Sequence, residues 1–148
     1  MSDPLIRTEA LIDRYYAALK AGDRGALAGL LSPDMVVDYY GPEGLFPWQG
    51  RWVGLKQFHR FLDIVAENLT IDAVTPLQRM FTDSAAIIVL EGVWTLRDSG
   101  AQVRAVVANI FTLQDARISR YQVFTDTAAF GLGLGALALP QGTPTARG

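Results

Sequence analysis

Cysteine is absent from this chain of 148 residues, and histidine occurs once, as His59. The first absence removes thiol nucleophiles, cysteine-ligated zinc, iron–sulfur clusters and disulfides together. The second leaves little with which to build a histidine-rich metal centre or a Ser-His-Asp relay. No metal site and no cofactor are expected. Charge is scarce as well: 13 basic and 15 acidic residues amount to 19% of the chain and a formal net charge of −2. Nucleic-acid binding usually shows as a basic surplus or stripe, and there is neither. No run approaches the roughly 18 uninterrupted apolar residues of a membrane span. Met1-Ser2-Asp3-Pro4 carries no basic stretch before its first apolar residues, so a signal peptide is not expected and a cytoplasmic location is.

What the chain does have is apolar residues, 50% of the total, with a mean hydropathy of +0.19. With no membrane to receive them, they must fill a core, line a cavity or cover a subunit interface. The length fits one ordinary domain, large enough to bury roughly 70% of its unfolded surface without a staple.

Asp3-Pro4 reads as a helix cap followed by proline in the first turn, and Gly22 as the stop. Asp23 caps a short second helix that Ser32-Pro33 ends, and Met35 to Tyr40 is a short extended run. Residues 41–54 read as one long loop holding Phe46, Trp48 and Trp52. A third helix runs from Leu55 to Leu69, with Phe58, Leu62 and Val65 on one stripe. Extended segments follow at roughly 71–81, 85–97, 101–113 and 117–125, with Asp98-Ser99-Gly100 and Gln114-Asp115-Ala116 as turns. Three helices ahead of an antiparallel meander make an α+β domain over residues 1–130. Residues 131–148 read as an apolar Gly/Ala/Leu tail, docked on a partner subunit or partly disordered.

The strands carry a further expectation. In 101–113 one face holds Val103, Ala105, Val107, Asn109 and Phe111, and the other Arg104, Val106, Ala108 and Ile110. Both are largely apolar, whereas an antiparallel sheet on a monomer normally leaves one face wet. Helices cover only one face, so a homodimer through the outer face is expected.

Four segments together resemble the nuclear transport factor two-like superfamily, and within it the SnoaL-like polyketide cyclases and ketosteroid isomerases. They are Arg14-Tyr15-Tyr16-Ala17-Ala18-Leu19-Lys20-Ala21-Gly22-Asp23, Ser32-Pro33-Asp34-Met35-Val36-Val37, Trp48-Gln49-Gly50-Arg51 with Gly54 and Phe58, and Asn109-Ile110-Phe111-Thr112-Leu113 with Arg117, Ile118, Tyr121 and Asp126. The resemblance covers about residues 5–130. It implies a cone-shaped fold, with three N-terminal helices on a curved, mainly antiparallel sheet enclosing a pocket. The implied ligand is a small apolar molecule, cyclic or polyketide-like. The implied chemistry is cofactor-free acid–base isomerisation or cyclisation; the alternative is a non-catalytic ligand-binding or dimerising module on the same fold.

Carried over residue by residue, the isomerases' oxyanion tyrosine falls on Tyr15 and their neutral acid on Asn109, whose amide can donate a hydrogen bond without having to stay protonated. The base's position falls on Tyr39 with Asp38 one residue earlier, and one residue of register reverses the face of a strand. The cyclases' late-strand aspartate has no counterpart, since no Asp or Glu lies between Gly100 and Leu113. Glu91, in the neighbouring strand, shares a face with Ile87, Val89 and Val93; it is a candidate buried acid, or else the partner of Arg104 or Arg97. Tyr15, Asn109, Asp38 and Glu91 are thus the candidate catalytic residues. Met35, Val37, Tyr39, Trp48, Trp52, Phe58, Leu62, Val107, Tyr121 and Val123 are the candidate pocket lining. His59, beside Lys56 and Arg60, reads as a surface residue.

Overall fold

The computed structural model describes residues 3–141; Met1, Ser2 and residues 142–148, over which parts of the signal-peptide and tail expectations run, lie outside the described residues. Asp3 opens α1 (Pro4–Ala21) by accepting the Leu5 N–H at 2.7 Å, with Pro4 where a missing N–H costs nothing. The helix stops on Gly22 at φ 68°, a left-handed conformation free of Cβ strain in glycine. Asp23 caps α2 (Arg24–Leu30) through the Ala26 N–H.

β1 (Leu31–Tyr39) begins earlier than the expected run from Met35. Ser32-Pro33 therefore lies inside a strand, where the register with its parallel neighbour shifts between Leu31 and Val36. Pro33 interrupts no regular ladder there. The expected loop is also shorter, because its end forms β2 (Gly50–Val53), paired antiparallel with β1 through Val37↔Trp52 and Asp38↔Arg51. Four residues, the first a glycine and followed by another, offer no alternation to read. α3 (Gly54–Asn68) follows.

The meander consists of β3 (Leu69–Phe81), β4 (Ala85–Leu96), β5 (Gln102–Gln114) and β6 (Arg117–Phe124), each end within two residues of expectation. Its last turn places Asp115 and Ala116 at φ 53° and 61°. The six strands form one open sheet in the order β2-β1-β6-β5-β4-β3, mixed because β1 runs parallel to β6. The helices pack on one side of it, giving an α+β cone.

A fourth helix, α4 (Thr127–Gly133), extends the packed unit past the boundary expected at residue 130. Asp126 caps it through the Ala129 N–H at 3.1 Å, and Phe130, 1% exposed, pins it to the core. Leu137 folds back over Gly131, so closely that a Cβ on that glycine would lie 2.6 Å from the leucine side chain. Leu137 is thus in contact with α4, while residues 138–141 are exposed.

Candidate functional site

Strand alternation decides which side chains meet the helices. Buried positions in β4 and β5 include Ile88, Leu90 and Trp94 with Val103, Val107, Asn109 and Phe111. These form the concave face. Across it, Asn109 pairs with Val123, which pairs in turn with Tyr39, so the three lie in one row.

Asn109 is 4% exposed, and its Nδ2 donates to the Tyr16 hydroxyl at 2.7 Å. Its Oδ1 is buried without a partner. Burial pushes the Tyr16 phenol up to about 12, against the opposing pull of the Asn109 hydrogen bond and the Arg79 charge. The tyrosine joined to Asn109 is therefore Tyr16, where the resemblance implied Tyr15. Successive helix residues point about 100° apart. Tyr15 is wedged among the rings of Tyr16, Phe111 and Tyr121 at centroid distances of 5.4, 5.3 and 5.7 Å. Burial raises its pKa too, and its hydroxyl interacts with that of Tyr121. Tyr15 is core. In the fold Tyr16 shares its helix face with Asp13 and Glu9, one and two turns earlier, both of which pair with Arg79 of β3.

Neither candidate carboxylate reaches this pair. Asp38 is buried, but on the opposite side of β1 from Val37 and Tyr39. Arg51 donates to it at 2.8 and 3.2 Å, and Arg120 at 3.1 and 2.8 Å. Burial alone would raise its pKa; the hydrogen bonds and charges of the two arginines outweigh that and lower it. Asp38 is thus an ionised, saturated carboxylate facing away from the concave side, which corrects its reading as a base. Glu91 also faces outward, part-exposed and paired with Arg104 at 3.1 Å, which corrects its reading as a buried acid. Tyr39 stands on the concave face at the base's position. Burial raises its pKa against the opposing effects of Trp48 and Thr125, so it is a neutral phenol at pH 7.

Of the candidate lining, Met35, Val37, Trp48, Phe58, Val107, Tyr121 and Val123 are buried, while Tyr39, Trp52 and Leu62 are partly buried against them. Four aromatics join them that the sequence did not mark for this role. Phe46 stacks on Trp48 at 5.0 Å, Phe61 lies 6.1 Å from Tyr39, and Phe130 sits 6.2 Å from Trp48 and 5.2 Å from Trp94. The side toward β3 is less covered, since Ile71 and Val74, cross-strand from Trp94 and Gly92, are exposed. Two polar surface clefts, of about 370 and 440 Å³, lie elsewhere: one on the outer side at Val36, Arg51 and Arg120, the other at Ser32, Asp34 and Arg117.

Among the described residues no three His, Asp or Glu side chains are grouped to hold a metal ion. No helix among them is long and apolar enough to cross a membrane.

The fold is shared with solved structures of low sequence identity. An NTF2-like protein from Burkholderia xenovorans LB400 superposes with a TM-score of 0.80 at 15% identity, covering 87% of this chain and 96% of that one. A candidate SnoaL-like polyketide cyclase from Jannaschia sp. CCS1 gives 0.77 at 15%, covering 93% and 98%. An LEH-like epoxide hydrolase of M. tuberculosis gives 0.66 at 18%, covering 90% and 96%. No curated protein matches the sequence. The family model of the SnoaL-like domain matches residues 12–121, most of the chain. The chain belongs to the SnoaL-like domain family.

Proposed function

We propose that this SnoaL-like domain binds a small, flat, apolar carbonyl compound on its concave face, with the Tyr16 hydroxyl as the donor to the carbonyl oxygen. The observation that carries the reading is the Asn109–Tyr16 hydrogen bond of 2.7 Å amid buried apolar side chains. By donating to the phenol oxygen, the amide polarises the O–H and leaves its proton for a ligand. Raised to about 12, the phenol stays protonated at neutral pH. With Asp38 and Glu91 both engaged by arginines on the far side, the binding reading is favoured over acid–base isomerisation or cyclisation. Titration of 1-tetralone into the protein by calorimetry tests this. Tyr16→Phe weakens binding about tenfold, equivalent to 1.4 kcal/mol, whereas Tyr15→Phe changes it by less than about twofold. Equal losses from both variants would refute the assignment.

A second reading concerns assembly, and rests on the outer sheet face. Val106 is 48% exposed, Phe124 44% and Tyr40 39%, next to the partly exposed Ile87, Val89 and Ile110. The Glu91–Arg104 and Asp38–Arg120 pairs stand on the same face. An apolar field with polar groups about it suits a homodimer. Sedimentation at micromolar concentration checks it: a dimer that Val106→Glu dissociates supports the reading, and a wild-type monomer sinks it.

A further inference from the structure

Among the described residues, three buried side-chain polar atoms have no hydrogen-bond partner: Asn109 Oδ1, Trp48 Nε1 and Thr125 Oγ1. An orphaned buried group costs roughly 1–3 kcal/mol, and native proteins carry few. Asn109 belongs to the site already described. The other two fall close by. Thr125 follows the last residue of β6, and since Asn109 pairs with Val123, Thr125 is its diagonal neighbour, about 7–8 Å away. Trp48 is fully buried, and its indole N–H can only donate. Between them stands Tyr39. Its hydroxyl lies near both Trp48 and Thr125, yet neither attains hydrogen-bond geometry. The Tyr39 and Trp48 rings meet edge to face at 6.2 Å and 87°.

We propose that Trp48, Thr125 and Tyr39 form a second polar station of the same site. The ligand then carries, across a flat apolar body from its carbonyl, a second oxygen that accepts hydrogen bonds there. The proposal rests on the carbonyl reading of Tyr16 and Asn109. Three groups able to donate lie near one another at the station: an indole N–H and two hydroxyls. The charged groups nearest the concave face are already paired, Arg79 with Glu9 and Asp13, and Arg51 and Arg120 with Asp38 on the far side. A neutral ether or carbonyl oxygen is therefore the matching group, rather than a carboxylate or phosphate. The rings of Phe46 and Phe61, both within contact distance of Tyr39, suit a planar body between the two stations.

The test compares 1-tetralone with 6-methoxy-1-tetralone, which adds one acceptor oxygen at the far end of the bicycle. On the wild-type chain, 6-methoxy-1-tetralone binds about tenfold tighter, a gain of 1.4 kcal/mol. In proton–nitrogen correlation spectra, the Trp48 indole signal, assigned through bonds, moves downfield with 6-methoxy-1-tetralone and stays in place with 1-tetralone. Thr125→Val, which keeps the side-chain shape, cuts the gain of 6-methoxy-1-tetralone over 1-tetralone to less than about threefold. Equal affinities and an unmoved indole signal overturn the second station, showing that it holds water only; the carbonyl reading then survives provided that Tyr16→Phe still weakens 1-tetralone. Failure of both ketones to bind overturns the two readings together.

Discussion

The Asn109 amide donates to the Tyr16 hydroxyl at 2.7 Å across 93 positions of sequence, tying the first helix to the middle of the sheet. That bond is both a structural tie and the polar focus of an apolar surface. Each partner leaves the other unsatisfied when removed, so the two are energetically coupled. In urea denaturation, Tyr16→Phe and Asn109→Leu should show an interaction energy of about 1 kcal/mol in a double-mutant cycle. Tyr15→Phe with Asn109→Leu should add within about 0.5 kcal/mol. A cycle in which Tyr15, rather than Tyr16, couples to Asn109 contradicts the geometry.

Alkaline pH should unfold the domain through its tyrosines. Tyr15, Tyr16, Tyr39 and Tyr121 all have folded pKa values above 10.0, Tyr16 at about 12. Between those values the unfolded chain has lost protons that the native chain retains. Stability is therefore full below pH 10 and falls as pH rises toward and through 12. Tyr16→Phe should make this alkaline decline shallower. An unchanged slope in thermal melts between pH 9 and 12 would place the raised phenol elsewhere.

Asp38 gives the opposite sign. Its folded pKa lies below the ordinary 3.8, so the arginine pairs stabilise the fold above that value and cease to do so as pH falls through the folded pKa. Asp38→Asn should lower stability at pH 7 by about 1–3 kcal/mol, because it leaves Arg51 and Arg120 without their carboxylate. As pH falls through the lowered folded pKa of Asp38, the variant and the wild type should converge. Variant and wild type differing by a constant amount from pH 7 to pH 2 would mean that the loss is one of packing, not of charge.

Gly92 lies in the middle of β4, where a glycine normally weakens a strand. Here it leaves space for the Trp94 ring, which a Cβ at position 92 would meet at 2.3 Å. Trp94 in turn packs on Phe130 of α4 at 5.2 Å. Gly92→Ala should therefore cost about 1–3 kcal/mol or more and shift Trp94 fluorescence. A variant as stable as the wild type, with unaltered emission, would show that the ring has free room to move.

The long strands were legible as extended runs bounded by turn residues; in the fold, burial alternates at period two in β5 as far as Phe111 and in β4 without a break from Ala85 to Leu96, but not in β3. β2 was not, since four residues cannot establish a period. α4 escaped because it has only seven residues, two of them helix-weakening glycines; the Asp126 cap and the burial of Phe130 hold it instead. In the site, the parity of β1 already turns Asp38 away from the face of Tyr39. What the sequence could not show was why that acid is buried, because its second partner, Arg120, lies 82 positions away. Tyr15 and Tyr16 are alike to any local reading. Only the packing of α1 on β5 makes one of them core and gives the other to Asn109.

The carbonyl stretch of bound 1-tetralone, read by infrared difference spectroscopy in the wild type and in Tyr16→Phe, tests the central claim most directly. Donation from Tyr16 should lower the wild-type stretch below that of the ketone in hexane, and Tyr16→Phe should return it toward the hexane value. The same stretch in both proteins, or no bound ketone in either, would contradict the assignment of Tyr16 and Asn109 as the carbonyl site.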